Sequence, residues 1–189
     1  LTVTAGTLNL GSQSTFLSGS GTPLSVSGTF NANTSTVTFS GTSATTIPAL
    51  TYYHLTFAPT SGSPTYSLST GTTTTQNFTV GNGSAVMTVN ANPASITLDV
   101  NGDFVLNTNA TFQAPGSGKT FTIGGGFPTN NGTFTSNSGT LTFDSTTTGN
   151  NVAGTTCPNF FYRMVFNGVG GAWTTGYGGS NTCIGDGGI

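Results

Sequence analysis

The chain has 189 residues, of which two are basic, four acidic and one histidine, so 3% of it is charged and its formal net charge is -2. Two cations cannot supply the run of phosphate contacts that nucleic-acid binding requires, and no apolar run approaches the roughly 18 residues of a membrane span. Thr (41), Gly (29), Ser (20) and Asn (18) fill more than half of the sequence, and all four are poor helix formers, which excludes a mostly helical fold.

In chain order, apolar residues recur at every second position in short windows. These are Leu8 and Leu10, Leu24 and Val26, Val37 and Phe39, Tyr53 with Leu55 and Phe57, Phe78 and Val80, Phe121 and Ile123, and Leu141 and Phe143. A polar residue separates the members of each window, the pattern of a strand with one buried face. Between the windows lie Gly-Ser, Asn-Gly, Gly-Asn and Pro-containing turns, spaced about 8 to 12 residues apart. Fourteen Phe, five Tyr and one Trp supply surface to bury, and the low charge leaves little chain repulsion, so order is expected over disorder.

Longer phrases repeat. Residues 28–39 (GTFNANTSTVTF) return as residues 132–143 (GTFTSNSGTLTF), and residues 52–57 (YYHLTF) return as residues 161–166 (FYRMVF). Residues 24–28 match 121–125, Thr15 and Phe16 match Thr111 and Phe112, and residues 80–83 match 184–187, all in one order along the chain. This predicts two β-repeats, 1–97 and 98–189. The first is circularly out of phase, the second is incomplete and stapled by Cys157 and Cys183, and the two are allowed to form one continuous structure. The second copy stops about a strand short, so the terminal strands are expected to expose unpaired backbone that templates association.

The expected fold is therefore all-β. A β-solenoid, parallel β-helix-like, of short stacked strands suits the uncharged corners and faces, and no charged or Pro-rich linker separates two beads near residues 95–100. The alternative is a pair of tandem β-sandwich repeats of about seven strands each.

The phrases TFNANTSTVTFSGT, LTYYHLTF, GTTTTQNFTV, LDVNGDFVL and NNGTFTSNSGTLTF resemble the Thr/Asn/Gly-rich repeat regions of large secreted bacterial surface proteins, their β-helix-like stalk and adhesin repeats. The resemblance covers nearly the whole chain and implies an extracellular structural role. It carries no active-site residues.

Few residues are candidates for chemistry. Cys157 and Cys183 are the only cysteines and are expected to form one disulfide closing a loop of about 26 residues, which suits an oxidising compartment. Asp99, Asn101 and Asp103 open like a calcium loop, but the chain has no Glu to close one, and an Asn-Gly turn accounts for the same phrase. Asp99 and Asp103 are also the only close acidic pair, and in an extended segment they stand roughly 13 Å apart, too far for glycosidase chemistry. No enzyme, metal or cofactor is expected. His54 and Arg163 hold equivalent places in the two copies of the YYHLTF phrase and are expected on the outer face. Asn33, Asn77, Asn82, Asn109 and Asn131 begin N-x-S/T sequons and are candidate glycosylation sites.

The expected role is an extracellular, cell-surface structural protein, a self-assembling subunit or repeat segment of a filament, stalk or sheath. An aromatic column including Phe30, Phe39, Phe57, Phe134, Phe143 and Phe166 would fill its core. Its partners would be copies of itself, joined head to tail by strand complementation through residues 1–10, together with glycans; no nucleic acid or membrane span is involved. A monomeric adhesin or carbohydrate-binding segment using Tyr52, Trp173 and Tyr177 is the alternative. A lesser one is an ice-binding protein, suggested by Thr2-x-Thr4, Thr36-x-Thr38, the run Thr72 to Thr75 and Thr140-x-Thr142, although these phrases are irregularly spaced.

Overall fold

β-branched and aromatic residues favour extended backbone, and here they fall in runs of a few residues between Gly- and Asn-rich corners. The computed structural model, which describes residues 1–92, 96–154, 161–179 and 181–185, accordingly holds short strands and, among those residues, no helix. The first turn carries β1 (Thr2–Val3), β2 (Thr7–Asn9) and β3 (Ser14–Leu17), and the second carries β4 (Ser25–Val26), β5 (Thr29–Asn31) and β6 (Thr36–Phe39). The third has β7 (Thr45–Ile47) and β8 (His54–Phe57), and the fourth β9 (Thr65–Leu68), β10 (Gly71–Thr75) and β11 (Asn77–Val80). Next come β12 (Met87–Asn90), β13 (Ile96–Val100) and β14 (Phe104–Leu106), then β15 (Ala110–Gln113), β16 (Thr120–Ile123) and β17 (Thr129–Asn130). Last are β18 (Thr133–Thr135), β19 (Thr140–Phe143) and β20 (Asn150–Ala153), followed by β21 (Arg163–Phe166) and β22 (Trp173–Tyr177).

These strands stack into three long sheets. Sheet A has the order β7-β9-β12-β15-β18, sheet B β10-β13-β16-β19-β21, and sheet C β17-β14-β11-β8-β6-β3. Three two-stranded pieces, β1-β4, β2-β5 and β20-β22, complete the described strands. Every described ladder is parallel. Each strand therefore meets its partner one turn later, from 18 residues on (Thr36 to His54) to 26 (Phe78 to Phe104). The chain is a β-solenoid of about seven turns, as its sequence leads one to expect, and not a tandem of antiparallel sandwiches.

The parallel register places each inward side chain over its counterpart in the next turn. In sheet B, Thr73, Leu98, Phe121, Leu141 and Met164 form one inner row, and Thr75, Val100, Ile123, Phe143 and Phe166 form the second. All are buried except Phe166, which is 37% exposed. Ring contacts run without a break through Phe39, Phe57, Phe78, Phe104, Phe127 and Phe161, with centroids 4.7 to 6.0 Å apart. Within the expected aromatic column, Phe39, Phe57, Phe134 and Phe143 are buried, whereas Phe30 is only partly so and Phe166 lies towards solvent.

The corners keep the turns closely apposed. A Cβ at Gly139 would run into the Pro115 carbonyl of the preceding turn, so only glycine lets the two backbones approach there. Just before it, Asn137 and Ser138 adopt φ of +48° and +56°, a tight left-handed corner. The long repeat does not coincide with the turn. Residues 28–39 supply β5 and β6, the latter in sheet C, while their counterparts 132–143 supply β18 in sheet A and β19 in sheet B. A parallel solenoid asks the same of every corner, a polar turn leading into an inward apolar pair, so one phrase serves at different corners. Residues 97 and 98 both lie inside β13, whose ladders to β10 and β16 run across that point.

Candidate functional site

With most apolar side chains turned inward, though Phe16, Val86 and Val169 are exposed, the chemistry left to the molecule is on its outer faces. On sheet B, Thr97 pairs with Thr120, and Thr140 with Arg163; Phe121 and Leu141 pair beside them, so these four outward residues make one row. Two positions along each strand, Thr74, Asp99, Thr122, Thr142 and Val165 make a second. On sheet A, Thr65, Thr88, Thr111 and Thr133 stand in register, flanked by Ser67, Asn90, Gln113 and Thr135. Of the Thr-x-Thr phrases that look irregular in the sequence, Thr72 to Thr75 and Thr140-x-Thr142 share the sheet B face, joined there by Thr120-x-Thr122, whereas Thr36-x-Thr38 lies in β6 of sheet C and Thr2-x-Thr4 begins at β1. Neighbouring outward residues stand about 4.8 Å apart across strands and about 6.7 Å apart along them.

Asp99 and Asp103 do not converge. The Asp99 carboxylate projects from the sheet B face and accepts the Thr122 hydroxyl at 2.6 Å, while that of Asp103 sits at the next corner and accepts the Gly126 amide at 2.8 Å. Asn101 is exposed on the turn between them, which joins sheet B to sheet C. Among the described residues no three His, Cys, Asp or Glu side chains are grouped to hold a metal ion, and no helix is long and apolar enough to cross a membrane.

His54 stands in an outer row of sheet C between Thr36 and Asn77, with its ring edge-on to Tyr53 at 4.5 Å. Arg163 ends an outer row of sheet B and is exposed. Asn33, Asn82, Asn109 and Asn131 are exposed on turns or corners, whereas Asn77 is half-buried and accepts the Asp103 amide at 3.1 Å. The Asn109 amide group already donates to the Gly83 carbonyl at 2.9 Å. Cys157 lies outside the described residues; Cys183 places its carbonyl on the Phe161 amide at 2.9 Å.

The aromatic residues expected to present a binding surface require correction. Tyr52 is 2% exposed and donates its hydroxyl to the Pro48 carbonyl at 3.0 Å, whereas Tyr53, expected inward with Leu55 and Phe57, is half-buried in the bend before β8. Trp173 packs on Phe166 and Phe143, and its indole N–H donates to the Gly125 carbonyl at 3.2 Å. The side chain of Tyr177 lies outside the described residues.

Sequence reasoning passed over the polar side chains that bridge turns. Asn31 donates to the Asn9 side chain at 2.8 Å, Asn107 to the Gly81 carbonyl at 2.6 Å and Asn137 to the Ala114 carbonyl at 2.8 Å. Lys119 reaches the Asn92 backbone carbonyl at 3.1 Å and its side-chain oxygen at 2.5 Å. Only Lys119, which follows Gly118, stands next to a glycine that marks its corner in the sequence; the asparagines carry no such neighbour. No family model, curated protein or solved structure matches the chain.

Proposed function

We propose that the chain is a non-enzymatic structural segment of an extracellular surface assembly, a filament, stalk or sheath. The observation that carries this is the run of parallel ladders through every turn, with inner rows in register. Such a stack lengthens one rung at a time without changing its core, because each turn meets only its neighbours. An outer surface with few fixed charges offers little repulsion between copies. In this reading, edge strands such as β1 to β3 take a further rung, from the same polypeptide or another copy, which is the strand complementation expected of residues 1–10. A Cys157–Cys183 disulfide and glycans on the exposed sequons belong to the same extracellular setting. Electron microscopy of concentrated protein tests the reading. Long fibres that are lost on deletion of residues 1–10, with β-content retained, are expected; discrete particles at every concentration would overturn it.

A second reading is favoured by the aligned Thr-x-Thr pairs of β16 and β19, whose spacings are of the size of the oxygen repeat of ice. Asp99 and Arg163 interrupt that lattice on the same face. Thermal hysteresis abolished by Thr120→Leu together with Thr142→Leu would favour ice binding; its absence in the unaltered protein would dismiss it.

A further inference from the structure

We infer that the outer face of sheet B is a lateral contact between two copies of this chain lying antiparallel. The inference rests on the self-assembling reading and adds to it which face meets which.

Charge complementarity identifies the occupant. Among the described outward residues of the five strands of this face, Asp99 and Arg163 are the only charged ones, and they have opposite signs. They are three rungs apart, on β13 and β21, with β16 and β19 between them. A two-fold axis parallel to the strands, passing between β16 and β19, places β21 of one copy over β13 of the other. The Thr120-x-Thr122 strand then faces the Thr140-x-Thr142 strand of the second copy. Arg163 is brought over the partner copy's Thr97, two positions along the strand from that copy's Asp99. That offset is about 6.7 Å, within the reach of an extended arginine side chain. The same operation repeats the pair on the other side, so the interface closes on itself with two ion pairs, as an isologous contact does. Hydroxyls and methyl groups of threonine fill the centre, and Val165, half-buried, adds apolar surface. Lys119, immediately before β16, does not compete for Asp99, since it is engaged with Asn92.

Area sets the strength. Four strands, β13 to β21, at about 4.8 Å spacing and about five residues of width give on the order of 300 Å² per copy, less than half of what a standard stable interface buries. One face is therefore a weak contact, and it gains strength when several are aligned along joined rods.

Sedimentation velocity across a concentration series in low salt tests the pairing, with circular dichroism to show that each variant is folded. The unaltered protein is expected to show a sedimentation coefficient that rises with concentration and falls back on addition of salt. Arg163→Asp and Asp99→Arg should each lose the rise, by setting like charges against one another. The double variant with both substitutions should recover it. Four proteins that sediment alike, or a double variant that stays monomeric, would overturn the inference. So would a face whose threonine substitutions remove thermal hysteresis while leaving sedimentation unchanged, since its occupant would then be ice. Fibres that persist in Arg163→Asp while lateral pairing is lost leave the structural role standing. Absence of fibres from the unaltered protein tells against that role independently.

Discussion

Lys119 and Asn92, 27 residues apart and one turn removed from each other, are joined by two hydrogen bonds from one ammonium group, to the backbone carbonyl at 3.1 Å and to the side-chain oxygen at 2.5 Å. Asn92 also accepts the Gly116 amide at 3.1 Å through that same side-chain oxygen, so a single asparagine gathers the corner of the next turn. Charge-assisted bonds of this kind contribute about 1.5–3 kcal/mol. Lys119→Met keeps the aliphatic stem and removes the donors. It is expected to lower stability by about that amount, measured by chemical unfolding, with little change in β-content; an unchanged midpoint would contradict the clamp.

Phe104 is in ring contact with Phe78, Phe112, Phe121 and Phe127, and so ties sheet C to sheets A and B in the middle of the stack. Phe104→Ala leaves a cavity there and should cost about 3–5 kcal/mol. In a solenoid each turn leans on its neighbours, so hydrogen exchange should accelerate first in β11, β14 and β15, and only later in β3 and β6. Uniform acceleration along the chain would contradict a stack of locally supported rungs.

Gly139 and Gly118 separate two reasons for a corner glycine. At Gly139 an added methyl group collides with the Pro115 carbonyl, whereas at Gly118 nothing lies within 4 Å of the added carbon but φ is +74°. Gly118→Ala should cost about 1–2 kcal/mol from backbone strain alone. Gly139→Ala should cost more, because two turns must move apart, and comparison of the two thermal midpoints checks the order.

Alkali is expected to unfold the protein. Tyr66 is buried and donates its hydroxyl to the Gly41 carbonyl at 2.5 Å, and burial pushes its phenol up to about 12. Burial raises Tyr52 further in the same direction. Both groups are neutral acids whose value in the fold exceeds the free value of 10.0, so their contribution is complete below about pH 10 and is lost as pH rises towards and through about 12. Ellipticity followed from about pH 5 upward should stay level until about pH 10 and fall above it; a fall below about pH 9, or none up to about pH 13, would contradict this.

Much of the fold is legible because alternation survives in the sequence. Val37 and Phe39, Phe78 and Val80, and Leu141 and Phe143 announce inward pairs that the structure buries. The same signal at Tyr66 and Leu68, Met87 and Val89, and Phe104 and Leu106 marks β9, β12 and β14, which lie between the more conspicuous windows. β10 is harder to read, because GTTTT has no apolar residue and its inward positions are Thr73 and Thr75, of which Thr73 leaves its hydroxyl without a hydrogen bond. Sheet assignment is hidden for a different reason. Turn lengths vary between 18 and 26 residues, so a phrase that repeats near 104 residues lands on another sheet. The aligned outer threonines, and the opposite charges of Asp99 and Arg163 on one face, emerge only once the register is known.

The most direct test of the account is the power spectrum of filaments imaged by cryo-electron microscopy. Stacked turns with strands across the fibre predict a meridional reflection near about 4.8 Å, parallel to the long axis and continuous from copy to copy. Particles of single-copy size at every concentration, or fibres whose strand repeat runs across the axis, would contradict it.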